Sequence, residues 1–236
     1  MSQHAQQYDA QNRPIGFEAV GFGTRSAFIT KTYAHLLGAV IGFTLLEIYL
    51  FRSGYAEIIA RALLGTNWLL VLGGFMLVSW LASRAAHTTQ SMNAQYAALA
   101  GFVVAQAVIF VPLLYVANYY APGTIRSAAI VTLTGFLGLT FVAFTTRKDF
   151  TFLGALLRWG GVMSLVAIAA AVLLGFELGT WFSVGMIAFA GAAVLYDTSN
   201  VLEHFPEDRY VAASLELFAS VALMFWYALR LMNSRD

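Results

Sequence analysis

The chain has 236 residues, 60% of them hydrophobic and 11% charged, with a formal net charge of +1 and no cysteine. Its mean hydropathy is +0.73, whereas soluble domains carry about 45–50% apolar and about 25% charged residues. This is an integral membrane protein; disulfides, Cys-ligated metal and thiol chemistry are excluded, and without a basic block nucleic acid is no partner.

Residues 1–26 read as a polar N-terminal tail. They contain no apolar core of the kind a signal peptide needs. From residue 27 to 236 the chain reads as one transmembrane domain. Apolar runs long enough to cross a bilayer, about 20 residues each, occupy 27–51, 66–83, 95–118, 125–145, 152–176, 179–202 and 210–232. The breaks are short and carry the punctuation, from "RSGYAEIIARALLG" (52–65) to "TTRKDFT" (145–151) and "EHFPEDR" (203–209). Backbone in lipid must satisfy its own hydrogen bonds, and none of these runs alternates as a barrel strand would. The expected fold is an all-α bundle of seven transmembrane helices.

Lysines and arginines divide eight to five between the two sides, eight with the N-terminal tail and the 2–3, 4–5 and 6–7 connections. That bias puts the N-terminus inside. The fifth and sixth spans are dense in Gly and Ala, which let helix backbones approach closely in a bilayer. These two spans are expected to be central and tightly packed, with Gly160 and Gly191 at helix contacts.

The costly residue is Asp197, in "AVLYDTSNVLEHF" (193–205) at the end of a hydrocarbon-like run. In an antiparallel hairpin bent around Pro206, Asp197 and Glu216 are equidistant from the turn, about 10 Å below it at roughly 1.5 Å per residue. Arg158 and Arg84 belong to the same half of the bundle. Two acids and two arginines are therefore expected to converge there, since intramembrane ionisable groups usually face the interior and pair. A static ion pair and a proton- or ion-sensing site both fit this pattern. Glu47 is expected to reach water at the far end of the first span. His35 has no second ligand at a metal-binding spacing, and Asn118, Tyr119 and Tyr120 look like an interfacial belt. No phosphate loop, nucleophile elbow or metalloprotease motif is present, so neither an enzyme, a cofactor nor a bound metal is expected.

The segments "TTRKDFTFLGALL" (145–157), "LYDTSN" (195–200) and "YVAASLELFASVALMFW" (210–226) together resemble the Bax inhibitor-1 family, and within it the bacterial, YccA-like branch. The resemblance implies seven helices with the seventh central, surrounded by the others. It also implies a pH-sensitive calcium leak, or association with the membrane protease FtsH as its substrate and modulator. The first aspartate of the family's di-aspartyl sensor falls on Asp197. The second falls on Phe218, a departure from the pattern, with Glu216 two positions earlier. Arg84 matches the arginine that latches the first aspartate. The resemblance thus implies one of two proteins in a bacterial inner membrane. One is a calcium leak channel with an Asp197–Arg84 latch; the other is a non-conducting regulator of a quality-control protease.

Overall fold

The computed structural model describes residues 17–146 and 148–233; the first 16 residues of the expected tail lie outside them. The described residues form eight helices: α1 (Phe17–Arg52), α2 (Tyr55–Leu64), α3 (Trp68–Thr88), α4 (Met92–Tyr120), α5 (Thr124–Thr146), α6 (Leu153–Leu174), α7 (Gly179–Glu203) and α8 (Tyr210–Asn233). All but α2 are long and apolar enough to cross a membrane, α1 from Thr24 onward. They match the seven expected runs in order.

Three boundaries differ from expectation. The first helix starts at Phe17, inside the expected tail. A short helix, α2, occupies the stretch read as the first connection. Gly54 separates it from α1 at φ 81°, a left-handed conformation that costs glycine little and other residues more. Its small face, Ala56 and Ala60, is buried beside Leu50 and Val111, and Glu57 pairs with Arg61 one turn on. The third difference is that α3 runs to Thr88, five residues beyond the apolar run that predicts it.

The last helix, α8, sits at the centre, against α7, α5, α1, α4 and α3. Of its most apolar stretch 72% is buried, against 61% for α4 and 6% for α6. The expectation of a central seventh span holds; that of a central fifth span does not, while the sixth, α7, lies directly against α8. The small residues of α6 serve one face only. A Cβ on Gly160 would stand 2.8 Å from the Phe189 ring of α7, and one on Gly154 would stand 2.9 Å from Tyr196. The other faces of α6 carry Leu156, Trp159, Met163 and Leu173, all exposed. Small residues thus mark a tight contact without making the helix central.

Aromatic rings fill the centre instead. Phe110 meets Trp226 edge-on at 5.0 Å and stacks on Phe225 at 5.5 Å, and Phe218 packs between Phe43 and Phe102. In a bilayer such dispersion contacts, rather than escape from water, hold helices together.

Candidate functional site

The α7–α8 turn (204–209) is tied to its neighbours by backbone capping. The last carbonyls of a helix lack intrahelical partners, and here arginines supply them. From α1, Arg25 donates to the carbonyls of Val201 at 2.7 Å, Leu202 at 3.0 Å and Phe205 at 2.5 Å. Arg209 donates to the carbonyl of Thr89 just past α3, which also accepts from Gln95 Nε2 at 3.2 Å. The Phe150 N–H donates to Ser199 Oγ at 3.0 Å. The "TRKD" and "HFPED" connections therefore share one end of the bundle, as expected.

Just below this end lies Asp197, 8% exposed. Its Oδ2 accepts from Ser220 Oγ of α8 at 2.5 Å. Glu216 lies within electrostatic reach of it, but the Glu216 carboxylate turns to α3, where Oε1 is 2.8 Å from Nε2 of His87. The other ring nitrogen, Nδ1, is 2.8 Å from the Ser83 carbonyl. One proton shared by the pair satisfies both contacts, either as imidazolium facing a carboxylate or as neutral imidazole accepting from a protonated Glu216.

Side-chain direction explains why Asp197 meets Ser220 rather than Glu216, which is level with it. Cα–Cβ bonds tilt toward a helix's N-terminus. On α7 that tilt carries Asp197 away from the turn; on α8 it carries Ser220 and Glu216 toward the turn. Asp197 therefore meets the residue one helical turn deeper, and Glu216 swings to the end of α3.

Neither expected arginine joins the cluster. Arg84 is exposed and lies over the Trp80 ring at 5.2 Å. Arg158, exposed on the outlying α6, donates to its own helix at Gly154. Among the described residues no cation pairs with Asp197, so the Asp197–Arg84 contact is corrected to Asp197–Ser220. An arginine near a helix end has a long stem and can face outward, which position in the sequence cannot reveal. The Phe218 position is apolar core, 2% exposed.

One other expectation changes. Glu47 does not reach water: it is 7% exposed, and both carboxylate oxygens are buried without a hydrogen-bond partner. His35 sits against Tyr96 and Tyr210, its Nε2 3.1 Å from the Tyr96 hydroxyl. Tyr119 and Tyr120 are strongly exposed at the far end of α4, where a belt would lie. On the surface, Asp149, Glu203 and His204 bring ligand atoms within 4.8 Å of one another, a trio that sequence spacing does not reveal. Hydrogen bonds from Thr151, its side chain first and its backbone N–H at 2.8 Å, hold the Asp149 carboxyl below its ordinary range.

A cavity of about 730 Å³ runs along α8 from Glu216 and Ser220 to Tyr227 and Arg230. Ser79, Ser83, Gln106 and Ser164 stand along its otherwise apolar wall, and the Ser79 hydroxyl has no partner. Glu216 and Ser220 thus stand at one end of a long, sparsely polar cavity beside the central helix, with Asp197 bonded to Ser220.

A family model described as inhibitor of apoptosis-promoting Bax1 matches residues 25–236. The chain belongs to the Bax inhibitor-1 family. It is 30% identical over 136 residues to an uncharacterized protein of Neisseria meningitidis serogroup A, covering 56% of this chain and 60% of that one. It is 35% identical over 95 residues to the Escherichia coli modulator of FtsH protease YccA, covering 39% and 43%. To mouse protein lifeguard 4 it is 28% identical over 123 residues, half of each chain. The chain spans 43–60% of the length of these curated relatives. Within the family frame, His87 and Ser220 are the partners that sequence reading missed. Ser220 could have been found one turn after Glu216, and His87 one turn after Ser83.

Proposed function

We propose that this Bax inhibitor-1 family member is a proton-responsive cation leak, calcium among its ions, in a bacterial inner membrane with its N-terminus inside. One observation carries the reading: Asp197, buried at the α7–α8 seam, holds α8 by a single bond to Ser220 at the end of the cavity along α8. A protonated carboxyl and a carboxylate make different demands on that bond, so the seam has two states for the proton to select. Glu216 and His87 extend the cluster, and a proton gained or lost on their pair changes the field at Asp197. Calcium takes oxygen ligands; Glu216, Ser220 and Gln106 offer them along the cavity, with Asp197 bonded to Ser220. The test is calcium flux into vesicles holding the purified protein, with Asp197→Asn beside the wild type. A pH-dependent leak that the variant lacks supports the reading, and a leak no faster than that of empty vesicles refutes it.

A second reading is favoured by the E. coli relative, described as a modulator of FtsH protease. In that case the chain is a non-conducting regulator bound to a membrane protease. Copurification of such a protease with the full chain, and its loss when residues 1–16, the part of the tail before α1, are removed, would support this reading. Equal recovery without the tail would remove the tail from the contact.

A further inference from the structure

Glu47 is the buried acid that the cluster at the turn does not explain. It lies near the opposite end of the bundle, one turn before the end of α1, in a crevice of about 520 Å³ between α1 and α5. Thr132 of α5 lines the same space, 2% exposed and with its hydroxyl unpartnered. The Cα atoms of α1 and α5 nowhere come within 8 Å of each other among the described residues. Side chains bridge them toward the turn end, where the Tyr33 ring meets Phe144. Beyond it the crevice is floored by α8 and walled by aromatic rings, Phe43, Phe51, Phe218 and Phe225.

We propose that this crevice is a binding site for a lipophilic monovalent organic cation, with Glu47 as its counter-charge. A buried carboxyl without a partner stays protonated unless a cation stands beside it; the residues around Glu47 supply none, and a bound organic cation would. The walls define which cation. Calcium takes six to eight oxygen ligands, and Glu47, Thr132 and Asn118 at the mouth are too few. A small hydrated cation would lose its water and gain little from phenyl rings. A cation with an apolar or aromatic body gains ring contacts and cation–π attraction on these faces. The volume is that of a pocket for a drug-sized molecule, about 300–1,000 Å³. One carboxylate sets the charge at one. The only other charge on the wall, Arg52, is exposed at the mouth, so a cation reaches Glu47 most directly from lipid, between the helices.

The probe is tetraphenylphosphonium, measured by equilibrium dialysis against the detergent-purified full chain with empty micelles subtracted. Saturable binding to the wild type is expected, weakened at least tenfold by Glu47→Gln. Asp197→Asn should stay within twofold of wild type, which separates this site from the proposed leak. Ala129→Trp, which fills the crevice from α5 without touching a charge, should also abolish binding and serves if Glu47→Gln does not fold. Equal affinity of wild type and Glu47→Gln, or of wild type and Ala129→Trp, overturns the proposal, as does an absence of saturable binding to the wild type.

Discussion

The two ends of the bundle treat their acids in opposite ways. At the α7–α8 turn end, Asp197 has Ser220, Glu216 has His87, and the α7 carbonyls have Arg25. At the Arg52 end, Glu47 and Thr132 have no partner at all. A satisfied polar network fixes helix positions, whereas an orphaned acid only costs stability. The difference teaches that hydrogen bonds tie the turn end together at several points. The other end carries a buried acid that no neighbouring side chain satisfies.

Mutations should then have opposite signs at the two ends, and detergent-phase thermal unfolding reads them. Arg25→Ala removes the donor of several charge-assisted bonds to the end of α7, and should cost about 3 kcal/mol, the upper range for a bond to a charged group. A loss no larger than that of an ordinary surface substitution would show the turn end is held otherwise. Glu47→Met should raise stability by about 2 kcal/mol, since it swaps an unpaired buried acid for an apolar chain of similar length. A destabilised Glu47→Met would mean Glu47 has a partner and the contrast is false. Smaller again, Gly160→Leu should cost at least about 1 kcal/mol by overpacking against Phe189; unchanged unfolding would free α6 from α7. His87→Ala, breaking a half-exposed pair with Glu216, should cost less than about 1 kcal/mol. Arg84→Ala should stay within about 0.5 kcal/mol, as for a surface site, and leave any pH dependence of the leak intact.

Much of this bundle could be read in the residues. Seven apolar runs fixed the order and number of the crossing helices, because lipid leaves the backbone no alternative. The short α2 was hidden because its ten residues are too few to cross and contain both Glu57 and Arg61. Hydropathy closed the third helix at residue 83, although helical hydrogen bonding continues through Arg84 and His87 to Thr88. That truncation is why His87 was read as part of a connection and Glu216 was given no partner there. Asp197 was legible as the site's centre by its cost alone. Its partner was not, because depth along a hairpin omits the tilt of side chains along each helix. Glu47 was misplaced for a related reason: nearness to a helix end does not reveal what covers the side chain.

The most direct test of the central claim, that the Asp197–Ser220 seam answers to protons, is calcium flux into vesicles between about pH 5 and 8, the range around the titration of histidine and of carboxyls in apolar sites. Wild type, Asp197→Asn and Arg84→Ala are compared at equal protein density. The account predicts a leak that changes across this range in wild type and in Arg84→Ala, and is flat in Asp197→Asn. A wild-type pH profile preserved in Asp197→Asn would contradict it.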